Sequence, residues 1–250
     1  MSAGAPALTR LSSPNHGPRR TGPVDILLLH YTAMDSASAA CDWLCDPASQ
    51  VSAHYLVDEA GGVFALVDED RRAWHAGAAC WGGQSDINSR SIGIEIANCG
   101  PQSATPDFPE PQIDALILLC LEILARHPIP AHQVLAHSDV SPGRKIDPGP
   151  CFPWQRLADA GVGLMPDVGA IDGPALQQGD SGNAVRDLRQ CLIRFGYDIE
   201  VTDDFDDDTA RVVAAFQLHY RPARHDGVAD AQTRGQLLEL LRLIPAVLAS

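Results

Sequence analysis

The sequence predicts an α/β domain, a mixed central β-sheet flanked by helices, followed by a small all-α domain of three helices. Three observations carry this. Short apolar runs bounded by turn residues alternate with segments of helical period over residues 24 to 160. Between Gly161 and Pro174 the periodicity lapses into Gly, Pro and Asp. Beyond that only helical stripes occur. With 250 residues and 45% hydrophobic side chains the chain can build two cores. The expected division is an N-terminal extension over 1–23, a first domain over 24–165, a linker over 166–175 and a helical domain over 176–250.

Val24-Asp25-Ile26-Leu27-Leu28-Leu29 follows Gly22-Pro23 and is nearly continuous in apolar residues, as in a strand buried on both faces. It ends in His30-Tyr31-Thr32, so His30 sits at the strand end. Ser36 to Leu44 reads as a helix stopped before Pro47. Residues 52–57 and 63–67 flank Asp58-Glu59-Ala60-Gly61-Gly62, a hairpin pattern. Ser91 to Asn98 reads as a strand. Alternation puts Ile92, Ile94 and Ile96 on one face, and Gly93 and Glu95 on the other. Ile113, Leu116, Ile117, Cys120, Leu121 and Leu124 have helical spacing, ended by His127-Pro128. Val134-Leu135-Ala136 is a short strand delivering His137 into a loop rich in Pro and Gly, which also carries Lys145 and Asp147.

In the second domain Val185, Leu188, Leu192 and Phe195 form one stripe, with Gly196 as its C-terminal cap. Val212, Val213, Phe216 and Tyr220 form another, and Leu237, Leu238 and Leu241 a third. Asp206 and Asp230 read as N-caps. The acidic run Asp203 to Asp208 lacks the turn glycine and distal glutamate of a calcium loop, so helix capping is its reading.

Lys+Arg 18 against Asp+Glu 32 gives a net charge of -14. That disfavours nucleic acid and anionic membrane surfaces, which are bound by clustered cations. Seven scattered cysteines without a C-x-x-C pair read for the most part as buried thiols rather than a disulfide framework. Met1 to Pro23 has no apolar core of a Sec signal peptide, and no run reaches the ~20 apolar residues of a membrane span.

A catalytic zinc site takes three protein ligands and leaves a fourth position for water, a count that His30, His137 and Asp147 would satisfy. A lone histidine is more often structural, so spacing leaves both readings open. The distance of His30 along the chain requires a site assembled by the fold. No H-E-x-x-H helix occurs, which argues against a zinc protease.

Five stretches in order carry a resemblance: Leu29-His30-Tyr31-Thr32-Ala33, Val51 to Val57, Ala73-Trp74-His75-Ala76-Gly77, Ser91 to Ile96, and His137-Ser138-Asp139 through Gly143-Arg144-Lys145-Ile146-Asp147-Pro148-Gly149-Pro150. Over about residues 24–160 the chain resembles the type-2 N-acetylmuramoyl-L-alanine amidases, zinc enzymes related to phage amidases and peptidoglycan recognition proteins. It is most similar to the periplasmic and anhydro-muropeptide branch, whose third ligand is aspartate. The resemblance implies one zinc held by His30, His137 and Asp147, with Glu95 as catalytic carboxylate and Lys145 near the scissile carbonyl. It also implies cleft roles in substrate binding for His54, Trp74, His75, Asn98 and Asn88, with Trp74 able to stack on a sugar. The implied reaction is hydrolysis of the amide between N-acetylmuramic acid, or its 1,6-anhydro form, and L-alanine. A non-catalytic recognition protein is the rival. Those proteins lose a zinc ligand, and all three positions are intact here.

Residues 176–244 resemble the three-helix peptidoglycan-binding module of bacterial cell-wall hydrolases, through Gly179-Asp180-Ser181-Gly182-Asn183-Ala184-Val185, Thr209 with Phe216-Gln217, and Asp226-Gly227-Val228-Ala229-Asp230 with Thr233. Asp206 and Asp230 depart from the glycine many members carry there. The implied partners are peptidoglycan and muropeptides. A wall-binding module points to the periplasm or envelope; unpaired cysteines and the missing Sec pattern point to the cytoplasm.

Overall fold

The apolar run ahead of His30 forms an interior strand of the sheet, paired on both sides, as its lack of alternation requires. The computed structural model describes residues 8–102, 107–167 and 171–244. The first seven residues of the expected extension, residues 168–170 of the linker and the last six of the helical domain lie outside the described residues. The strands are β1 Leu8–Arg10, β2 His16–Pro18, β3 Ile26–Tyr31, β4 Tyr55–Val57, β5 Val63–Ala65, β6 Arg71–Ala73, β7 Ser91–Ile96 and β8 Val134–Ala136. The helices are α1 Ala37–Cys45, α2 Ile87–Arg90, α3 Glu110–Arg126, α4 His137–Val140, α5 Trp154–Asp159, α6 Asn183–Phe195, α7 Asp207–Tyr220 and α8 Ala231–Leu243.

Six strands form one sheet in the order β1-β5-β4-β7-β3-β8, and β2 pairs with β6. β4, β7, β3 and β8 run parallel, while β5 is antiparallel to β4, so the sheet is mixed. One face, with Leu27, Leu29, Ile92, Ile94, Ile96 and Val134, packs on Ile113, Leu116, Cys120 and Ile123 of α3. The opposite face, with Ile26, Leu28 and Leu135, shares a core with Trp81 and with Leu188, Phe195 and Phe216 of the C-terminal helices. α1 sets Ala40, Cys41 and Leu44 against Leu56 and Leu66. Burial of apolar faces at ~25 cal/mol per Å² is what holds these layers together.

Asp206 and Asp230 cap α7 and α8, accepting from the amides of Thr209 and Thr233. Gly196 ends α6 at φ +141, a conformation L side chains rarely adopt. All seven cysteines are among the described residues and none forms a disulfide. Two features depart from the sequence reading. His137 opens a helical turn, α4, instead of entering an irregular loop, because the Asp139 carboxylate accepts the Ala136 amide and closes the turn. The segment read as an extension also supplies β1 and β2, which pair with β5 and β6. Three-residue strands are too short to show a period.

Candidate active site

Strand alternation and register assemble the site. Ile26, Leu28 and His30 share one face of β3, and His30 lies opposite Glu95 of β7. Leu29 lies opposite Ala136 of β8, so His137 emerges beside His30 at the C-terminal ends of parallel strands. That edge is where open α/β sheets place ligands. The loop after α4 returns to bring Asp147 against both histidines, tied by the Ser138 amide donating to the Asp147 carbonyl at 3.1 Å.

His30 Nδ1 lies 2.9 Å from His137 Nδ1 and 3.2 Å from Asp147 Oδ2, and His137 Nδ1 is 2.9 Å from the same oxygen. The three residues are 1%, 3% and 5% exposed. Among the described residues they form the group of His, Cys, Asp and Glu side chains able to hold a metal ion. Ligand bonds of about 2.0–2.1 Å imply tetrahedral edges of about 3.3 Å. The donor set and spacing therefore fit a zinc ion.

The outer ring nitrogens are engaged, which leaves Nδ1 of each histidine for a metal. His137 Nε2 donates to the Ala76 carbonyl at 3.0 Å, and Arg144 Nη2 donates to the same carbonyl at 2.8 Å. Ser91 Oγ donates to the Ile87 carbonyl at 2.7 Å, so toward His75 Nε2, 3.4 Å away, it can only accept. His75 Nδ1 is then the acceptor for His30 Nε2–H at 3.1 Å. Such outer partners orient metal-binding histidines. Burial pulls His30 down to about 4, and neighbouring His137 adds to that while Asp147 opposes it. Burial alone would raise Asp147, but its bonds to His137 and His30 outweigh that and hold it well below the carboxylate range.

Glu95 is governed by burial, with the negative charge of Asp147 adding to it and Lys145 opposing; the net effect is a carboxyl well above its ordinary value. Glu95 Oε2 is buried and has no hydrogen-bond partner among the described residues. An orphaned buried oxygen lining a cleft calls for an explanation beyond packing.

A cavity of about 210 Å³ opens over these groups. His30, His75, Glu95, His137, Lys145 and Asp147 line it, together with Met34, Trp43, Leu44, Val51 and Trp74. Trp74 and His75 thus line the cleft as expected, although His75 also braces His30. Three expected substrate contacts stand elsewhere. His54 is fully buried, its Nδ1 accepting the Gly93 amide and its Nε2 donating to the Arg71 carbonyl, because β4 turns it into the sheet. Asn88 Oδ1 accepts the His75 and Ala76 amides, so it shapes the loop behind the cleft. Asn98 Oδ1 accepts the Gly100 amide, and the Asn98 carbonyl accepts the Thr32 hydroxyl, as a turn at the end of β7 requires. Met34, Trp43 and Val51 were missed by the sequence reading. One signal was legible: Trp43 falls off the Ala40, Cys41, Leu44 stripe of α1 and is 49% exposed.

A family profile described as "N-acetylmuramoyl-L-alanine amidase" matches residues 20–150, and one described as "Putative peptidoglycan binding domain" matches residues 181–237. The chain is 39% identical over 226 residues to the N-acetylmuramoyl-L-alanine amidase AmiD of Escherichia coli K12, covering 84% of this chain and 80% of that protein. The solved complex of AmiD with anhydro-N-acetylmuramic acid-L-Ala-D-gamma-Glu-L-Lys superposes with a TM-score of 0.77 at 38% identity, over 91% of this chain and 90% of that one. AMPDH3 of Pseudomonas aeruginosa superposes with a TM-score of 0.74 at 34% identity, over 91% of this chain and 96% of that one. By these matches, over most of its length, the chain belongs to the N-acetylmuramoyl-L-alanine amidase family of enzymes.

Proposed function

We propose that the protein is a zinc amidase that cleaves the amide between the lactyl group of N-acetylmuramic acid, or its 1,6-anhydro form, and L-alanine in peptidoglycan or muropeptides. The observation that carries this reading is the convergence of three buried metal-type donors with an orphaned carboxylate oxygen in one cleft. The substrate seen with AmiD supports the substrate class. His30, His137 and Asp147 would hold the ion. Zinc bound there supplies Lewis acidity, polarising a carbonyl and acidifying water.

The remaining work falls to side chains of this chain. Glu95, kept basic enough to receive a proton by its burial and by Asp147, takes a proton from the attacking water and returns it to the leaving amide nitrogen. Water adds to the lactyl carbonyl, the C–N bond breaks, and a muramic carboxylate and the free amine of L-alanine result. Lys145, on the cleft wall, meets the negative charge developing on the carbonyl oxygen. Trp43, Met34 and Val51 offer apolar surface to the sugar face or peptide stem, and Trp74 a second aromatic.

The proposed units are an amidase over 24–165, its sheet edge completed by β1 and β2, and a peptidoglycan-binding-like domain over 176–250 joined by 166–175. We assign the activity to cell-wall turnover or recycling, in the periplasm or envelope. Metal analysis should find about one zinc per chain. Digestion of intact sacculi beside soluble anhydro-muropeptides, with product analysis, tests substrate and setting together. Release of peptide from soluble fragments alone would favour recycling, and release from neither would refute the amidase reading.

A further inference from the structure

Asp139 is fully buried two residues beyond His137, and its carboxylate is held largely from the other domain. Oδ1 accepts the Tyr197 hydroxyl at 2.6 Å. Oδ2 accepts His219 Nδ1–H at 2.7 Å and the Ala136 amide at 2.8 Å. Neither side-chain donor can drift. The His219 ring is stacked on Trp154 at 3.7 Å and on Tyr220 at 3.9 Å. Tyr197 follows Gly196, whose carbonyl accepts the Gly82 amide at 2.8 Å, and a Cβ at Gly196 would come within 2.4 Å of the Trp81 ring. A buried carboxylate tolerates the loss of a donor poorly, because no water replaces it.

We propose that the helical domain is a working part of the metal site: Tyr197 and His219 are positioning residues that clamp Asp139, and through it the turn from Ala136 to His137. His137 is thereby held over the cleft by two domains at once. A tether whose only task is to reach the wall would need no buried polar bonds to the turn that bears a metal donor. This inference rests on the zinc-amidase reading.

The test uses the full-length protein with Tyr197→Phe, His219→Leu, His219→Asn, which keeps a donor near Nδ1, and Leu237→Ala as a control inside the helical domain. Zinc retention by chelator competition, kcat and KM on a soluble anhydro-muropeptide, and thermal unfolding are measured on each. Tyr197→Phe and His219→Leu are expected to weaken zinc retention roughly tenfold and to lower kcat with KM little changed, the lower end of what outer partners of metal ligands contribute. His219→Asn should recover most of the loss. Leu237→Ala should melt earlier yet keep wild-type zinc affinity and kcat. Wild-type zinc retention in Tyr197→Phe and His219→Leu, or an equal loss in Leu237→Ala, overturns the clamp. Should His219→Leu fail to fold, Tyr197→Phe, which removes a single oxygen, decides. Absence of zinc and turnover in the wild type would sink the amidase reading instead.

Discussion

Replacing Gly93 by alanine should damage the metal site from behind. Gly93 sits in β7 on the face that carries Glu95, and a Cβ there would lie 2.5 Å from both Cγ and Nδ1 of His75. The His75 ring cannot step back, since it is engaged by His30 Nε2 at 3.1 Å and by Ser91 Oγ at 3.4 Å, with the His54 ring beside it. Overpacking of this kind costs about 1–3 kcal/mol. Alanine is otherwise the better strand residue by about 0.5–1 kcal/mol, which offsets part of that. The net is a destabilisation of roughly 1–2 kcal/mol, or a fall in Tm of some ~2–8 °C for a chain of this size. Zinc retention should fall by about 10–100-fold, because the displaced ring is the partner that orients His30. The assay is a double-mutant cycle with His75→Ala, read by thermal unfolding and chelator competition. In the His75→Ala background the added methyl has room, so Gly93→Ala should be neutral or slightly stabilising there, with a coupling of about 1–3 kcal/mol. Wild-type Tm and zinc retention in Gly93→Ala, or simple additivity in the cycle, would refute the steric argument.

Other expectations concern the cleft and the buried histidines. Glu95→Ala should retain zinc yet lose about 10²–10⁴-fold in kcat, measured by product release from a muropeptide; equal turnover would remove Glu95 from the chemistry. Trp43→Ala should raise KM several-fold with kcat and Tm nearly unchanged, because the half-exposed ring contributes to the cleft and little to the core. Stability in chelator should decline as pH falls below about 6.5. Burial holds His54 near 3, with its bond to the Arg71 carbonyl opposing, so the unfolded chain takes up a proton that the native state refuses. That one group contributes about 1.4 kcal/mol per pH unit across the window. His54→Asn should flatten the slope between pH 6.5 and 3, and an unchanged slope would place the titration elsewhere.

Much of this was legible before any coordinates. The unbroken apolar run ahead of His30, the alternation of Ile92, Ile94 and Ile96 against Gly93 and Glu95, and the short strand ahead of His137 follow from the two-residue period, which is local. The capping of α7 and α8 by Asp206 and Asp230 is local too, since an N-cap binds amides three residues away. These suffice to put two histidines and a glutamate at strand ends.

Sequence alone, then, determined the strand faces and the capped helix ends, because each depends on neighbours a few residues away, whereas the three candidate metal donors came from the resemblance of the motifs to a known family. The tertiary structure decided which polar side chains line the cleft and which are bonded into the surrounding fold. His54, Asn88 and Asn98 are expected site residues, yet their polar atoms are engaged by backbone, that of other segments for His54 and Asn88 and that of its own turn for Asn98. Trp43 carries no motif and gains its place in the cleft only because α1 packs beside β4. The bonds from Tyr197 and His219 to Asp139 were invisible in the chain order. They depend on a helical domain sharing its core with the second face of the sheet, and pairing between distant segments leaves no period to read.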